Sequence, residues 1–306
     1  LDDTASSTEA AATEDATEAV AEQVEEVADT AQEKVQEVVE DAKEMTAEVT
    51  LASVLAAQPE AVQARYGARN PAETLAFFGI EPGMTVAEAL PGGGWYSKIL
   101  LAYLGDEGTL IGAHYPDTLW PMFGFGEEWA ASRVEATANW PTQAAEWGVE
   151  GAAIGSTVLT AMPEEATGQV DAVLFIRALH NLNRFTSEEN DFLGETLAET
   201  YRVLKPGGIV GVVQHSGPES NSDEWATGAN GYLKESAVIA AFEEAGFELA
   251  ATSDINANEA DVPSNEAFVW RLPPSLSGTE EGTPERAEME AIGESNRMTL
   301  KFKIPA

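Results

Sequence analysis

Val86 to Leu101 reads VAEALPGGGWYSKILL, a short apolar strand carrying one acid, Glu88, followed by a turn and the start of an apolar-periodic helix. The turn is Pro91 with three consecutive glycines, Gly92, Gly93 and Gly94. Glycines at the carboxyl end of a strand let the backbone take tight dihedrals and approach a ligand closely, because no Cβ stands in the way. From Gly83 onward the pattern alternates. Strands are predicted at 85–90, 109–113, 152–159, 171–176, 209–214, 248–252 and 298–304, with helices at 95–104, 124–140, 188–203 and 236–245 between them. DAVLFI (171–176) and IVGVVQ (209–214) are near-continuous apolar runs, as expected of strands buried on both faces. Strands separated by helices imply crossover units, hence an α/β fold with a mostly parallel sheet covered on both sides.

Upstream of this core the character differs. Residues 1–48 carry sixteen acids against Lys34 and Lys43 and form an acidic, low-complexity leader. Val20, Val24, Val27, Ala31, Val35, Val38, Ala42 and Met45 recur there at spacings of three and four, an amphipathic helix with a thin apolar stripe. That stripe reads either as a solvated tether or as a self-associating coiled coil. Two further helices are expected at 51–66 and 70–78, so the chain divides into the leader, 1–48, and one α/β domain, 49–306.

Composition removes several function classes. A net charge of −37 over 306 residues repels nucleic-acid phosphates, which bind through clustered Lys and Arg. With no cysteine there are no disulfides, thiolate metal sites or Cys nucleophiles, and no run of 18 apolar residues provides a membrane-spanning helix. The chain starts at Leu1 with a small, acidic, Ser/Thr/Ala-rich stretch that looks processed. It points to a removed signal peptide and an exported or periplasmic protein, with a cytoplasmic one as the alternative.

RVLKPGG at 202–208 before an apolar strand, EEAGFEL at 243–249, and the acid ending the first strand together resemble the class I S-adenosylmethionine-dependent methyltransferases. LPGGGWYSKIL, RALHNLNRF, INANEADVPS and IGESNRMTLKF are similar, more narrowly, to a bacterial group of predicted methyltransferases of unassigned substrate. The resemblance covers roughly residues 55–305 and implies a Rossmann-like seven-stranded sheet whose last strand is antiparallel. It implies S-adenosylmethionine as cofactor and a small-molecule substrate. Glu88 takes the acidic place, and Leu90, Gly92 and Gly94 take the three places usually held by glycine. With Pro91 and Gly93 they form the expected cofactor cradle. The place of the acid that grips the ribose hydroxyls falls on His114, with Asp117 three residues on, and the adenine-side acid falls near Ser156.

The segment directly after DAVLFI, Arg177 to Asn183, supplies the expected catalytic residues, His180 as proton acceptor and Asn181 beside it. A histidine of ordinary pKa, about 6.5, suits proton removal near neutrality. The blander reading of His180 is a partly buried histidine bonding a loop carbonyl. No His-x-x-x-His unit joins His114, His180 and His215, so no metal is expected. The glycine turn lacks both Gly-x-Ser-x-Gly and Gly-x-Gly-x-x-Gly, which argues against a serine hydrolase and a nicotinamide dehydrogenase. Trp120, Phe123, Phe125 and Trp129 are expected to form one apolar cluster, and residues 256–277 a long connection that serves as a lid. Two functions stay open: methyl transfer to a small molecule, and a non-catalytic binding or envelope-associated protein on the same scaffold.

Overall fold

The computed structural model describes residues 50–305, together with residues 30, 32, 34–36, 38 and 39. The chain divides into two units, Leu1–Thr50 and Leu51–Ala306. In the first, the described residues are helical, and Val35 and Val38 of the predicted stripe are 64% and 65% exposed. Val20, Val24, Val27, Ala31, Ala42 and Met45 lie outside the described residues.

The second unit is built on a seven-stranded sheet: β1 (Thr85–Ala89), β2 (Thr109–His114), β3 (Ala153–Val158), β4 (Val170–Ile176), β5 (Leu204–His215), β6 (Glu248–Ser253) and β7 (Arg297–Lys303). Their order across the sheet is β3-β2-β1-β4-β5-β7-β6. Strands β1 to β5 pair in parallel, and β7 runs antiparallel to both β5 and β6. Strand order reverses between β1 and β4, and in open α/β sheets the crevice beyond the carboxyl ends at such a reversal is where ligands bind.

Alternation along each strand feeds two cores. Ala87 and Ala89 of β1, Val173 and Phe175 of β4, and Val210 and Val212 of β5 pack with helices α5 (Phe192–Val203) and α6 (Glu235–Glu244). Val86, Ala172 and Leu174 point the other way, onto α1 (Pro71–Phe78), α2 (Trp95–Leu104) and the C-terminal half of α3 (Glu127–Glu146). Both faces are dry, which is why the strand sequences show unbroken apolar runs rather than alternation.

Several boundaries differ from the sequence expectation, each for a local reason. Helix α3 runs through Pro141 instead of stopping at Trp140. A proline in a helix leaves the carbonyl four residues earlier without its donor, and here the Ser156 hydroxyl donates to the Thr137 carbonyl at 2.8 Å. The 51–66 segment is broken, with one-turn helices at Glu60–Gln63 and Tyr66–Arg69. Helices α4 (Leu179–Phe185) and α7 (Pro284–Ile292) carry too little periodic sequence to stand out. The expected lid, 256–277, is a pinned strap: the buried Asp261 carboxylate accepts from Tyr232 Oη, Arg271 and the backbone N–H of Asn296.

Ser156→Ala should therefore lower stability by ~1–2 kcal/mol, the cost of leaving a half-buried carbonyl unpaired. A urea melt reads this directly, and a melt coinciding with that of the parent would show that water satisfies Thr137 instead.

Candidate active site

The glycine turn sits where β1 hands over to α2. Leu90, in a place usually taken by glycine, has φ +50, and Gly92 has φ +55. A leucine held in the left-handed region costs about 1 kcal/mol, so the turn keeps a glycine's geometry despite the side chain. Gly92 and Gly93 are exposed, and a Cβ built on Gly93 meets no atom within 4 Å. Gly94 is different. A Cβ there would lie 2.2 Å from the Trp147 indole, so this glycine lets the end of α3 close against the start of α2. Pro91 is buried beneath the turn, and its carbonyl accepts from the Gly94 N–H at 2.9 Å.

Glu88 is 3% exposed and accepts a hydrogen bond from the Ser97 hydroxyl of α2. Burial pushes its carboxyl up to about 8, with Ser97 and then Arg177 opposing the shift. At neutral pH it is mainly protonated, and it fastens the strand to the helix behind the turn.

His114, at the end of β2, packs edge-on against Trp140 at 5.9 Å between ring centroids. Its Nε2 is buried without a hydrogen-bond partner among the described residues, and burial lowers its pKa to about 4. Asp117 is exposed, on a groove of about 470 Å³ shared with Pro121, Gly124 and Glu127. Ser156, in the adenine-side place, is the residue that repairs α3. The aromatic cluster forms as expected: Trp120 lies 5.9 Å from Phe123 and 5.8 Å from Trp129, with Phe125 stacked outside.

Beyond β4 and β5 the structure gathers His180 and His215, with ring centroids 5.8 Å apart, and places Trp270 of the strap 6.0 Å from His180. His180 is 6% exposed, and among the described residues its Nδ1 makes no hydrogen bond of normal geometry. Burial lowers its pKa to about 4; Gln214 opposes the shift, and Arg177 and Arg184 reinforce it. His215 is driven well below its ordinary value, first by burial and then by His180, while its Nδ1 shares a 2.6 Å bond with Ser295. Asn181 is buried, 3.5 Å from the Tyr115 hydroxyl, with its Oδ1 unpartnered. The Tyr115 hydroxyl itself donates to the Ala178 carbonyl at 2.6 Å.

Four arginines border the same space, none of them given a role from the sequence. Glu294 accepts from Arg65 and Arg297 and lies 3.6 Å from Arg69 Nε. Arg69 stacks over Trp95 at 4.6 Å. Arg177, the first residue after β4, has φ +59 and donates its backbone N–H to Val213. The available signal was scarcity: these are four of only nine arginines in a chain with 53 acids.

No family model and no curated protein matches the chain. Solved structures do. The [4+2]-cyclase SpnF is 16% identical, with a TM-score of 0.50 over 78% of this chain and 81% of its own. A SAM-dependent methyltransferase from Aquifex aeolicus is 16% identical with a TM-score of 0.47, covering 83% and 98%. Geranyl diphosphate C-methyltransferase from Streptomyces coelicolor, solved with Mg2+, geranyl diphosphate and S-adenosyl-L-homocysteine, is 14% identical with a TM-score of 0.48, covering 82% and 87%. The parallel β3-β2-β1-β4-β5 core with an antiparallel β7 is a Rossmann-like fold, and the likeness to SpnF is one of fold alone. At these identities the likeness establishes architecture and leaves the reaction to the site.

Glu88→Gln tests the buried proton. The unfolded carboxyl ionises near 4.5 and the folded one near 8, so the folded state holds the extra proton between those values and loses stability as pH rises through them. The variant should melt at a higher temperature than the parent at pH 8, with the gap closing as pH falls toward 4.5. Parallel curves at every pH would mean that the carboxyl is ionised in the fold.

Proposed function

We propose that the chain is an S-adenosylmethionine-dependent methyltransferase of a small molecule, of the bacterial group that its motifs resemble. One observation carries this reading: the Gly92–Gly93 turn is open and stands at the carboxyl end of β1, beside the reversal between β1 and β4. The cradle fits a nucleoside sulfonium, since the backbone is bare at Gly93 and the buried His114 Nε2 lacks a partner. Pro91, Gly92, Gly93 and Gly94 would shape the cofactor site, with Glu88 holding the turn in register from behind. His114 and Asp117 would face the ribose, where one nitrogen and one carboxylate replace the usual bidentate acid.

When bound, the cofactor supplies a methyl group on a positively charged sulfur, which keeps the carbon–sulfur electron pair as the methyl passes to a nucleophile. The protein's part is alignment and exclusion of water. His180 and Asn181 lie beyond the adjacent strand, where an accepting atom would lose its proton. His180 is neutral at physiological pH, so its ring nitrogen is free to take that proton, but burial makes it a weak base. It therefore suits an acceptor that sheds its proton late in the transfer. The rival reading, a binding protein without catalysis, draws support from His114, which is closed in against Trp140.

Calorimetry with S-adenosylhomocysteine separates the two readings. Gly93→Leu places a side chain in the open cradle at an exposed position, so affinity should fall at least ~10-fold with stability within about 0.5 kcal/mol of the parent. No heat from the parent protein at millimolar ligand removes the methyltransferase reading. Where turnover is measured, the acidic limb of kcat should fall near pH 4 rather than 6.5 if His180 is the proton acceptor.

A further inference from the structure

Arg177 is half-buried at the carboxyl end of β4, and among the described residues its guanidinium has neither an ion pair nor a hydrogen bond. Glu88, Tyr96, Glu294, His180 and His215 all lie near enough for its charge to act on them. Arg69 and Arg297 are 7% and 4% exposed, and Arg69 Nε is itself without a hydrogen bond. Glu294 is the carboxylate that Arg65, Arg69 and Arg297 share, and Glu88 is protonated at neutral pH. Among the described residues three guanidiniums thus share Glu294, and Arg177 adds a fourth positive charge that it does not pair, inside a chain of net charge −37.

A half-buried guanidinium without a counter-ion is disfavoured, and its planar fork matches carboxylate and phosphate oxygens. Arg177 also sits at φ +59, a strained position for an L-residue, so its side chain is retained where glycine would be easier for the backbone. Among the described residues the buried His180 Nδ1 and Gln214 Oε1 make no hydrogen bond of normal geometry, although the Gln214 side chain acts on the His180 ring.

We propose that Arg177, backed by Arg69 and Arg297, binds an oxyanion of the substrate, a carboxylate or a phosphate, beyond the carboxyl end of β4. The site takes a small anionic molecule whose charged group lies against Arg177 and whose body lies toward His180 and Trp270. This inference deepens the methyltransferase reading by naming a substrate class, but anion binding at Arg177 does not require that the cofactor bind.

The test uses the full chain, with inorganic phosphate and succinate titrated at constant ionic strength against chloride and tryptophan fluorescence as the readout. Saturable binding at millimolar concentration is expected. It should weaken at least ~10-fold in Arg177→Gln and in Arg177→Gly, while Arg133→Gln, an exposed control, behaves as the parent. Arg177→Gly should melt at or above the parent temperature, because glycine accepts the left-handed backbone; a lower melting temperature would make the guanidinium a structural element and overturn the proposal. Unchanged anion affinity in both Arg177 variants, or no saturation in the parent, overturns it as well. Repeating the titration with saturating S-adenosylhomocysteine separates the sources: anion binding that persists supports a substrate oxyanion, whereas competition assigns Arg177 to the cofactor's own carboxylate and overturns the inference. Phosphate binding that depends on Arg177 in a protein that takes no S-adenosylhomocysteine keeps the inference and discards the methyltransferase reading.

Discussion

A single carboxylate holds the rim of this crevice together. Glu294 accepts from Arg65 and Arg297 and neutralises part of the charge on Arg69, joining the turns before α1 to the residue that opens β7. Arg297 adds a bond to the Ala68 carbonyl and another to Ser295, whose hydroxyl meets His215. Burying these charges is tolerable only because they are shared and hydrogen-bonded. The arrangement brings segments more than two hundred residues apart in sequence to the carboxyl end of β5, and among the described residues it leaves Arg177 with no carboxylate of its own.

Close backbone approach shapes the floor of the same crevice. Gly94 and Gly112 lie under the indoles of Trp147 and Trp140, so α3 packs tightly on β2 and on the start of α2. Those contacts cover the β2 side, where His114 is enclosed, and leave Gly92 and Gly93 bare. The two sides consequently differ, the backbone being bare at Gly93 and close-packed beside His114. Ser156 shows the same economy: its hydroxyl completes a helix interrupted by Pro141 and is not turned to a ligand.

Much of the architecture was legible along the chain. Buried parallel strands announce themselves as apolar runs, and VAEALPGGGWYSKILL marks the corner from β1 into α2 because only glycine-rich sequence bends so tightly. Helix α4 was not legible, since RALHNLNRF is short and owes its helicity to packing beneath β4 and β5. The span of α3 was hidden as well, because the rescue of Pro141 comes from a strand fifteen residues downstream.

Local sequence therefore determined the alternating α/β core, the position of the glycine turn and the acidity of the chain, properties that follow from periodicity, backbone freedom and composition. Tertiary structure alone decided which residues share the crevice. Arg69, Arg177 and Arg297 are isolated in the sequence, and the pairing of β1 with β4 and of β5 with β7 brings them to one rim. It also decided protonation: Glu88 and His180 are ordinary titrating groups until the fold strips away their water, after which the carboxyl keeps its proton and the imidazole gives one up.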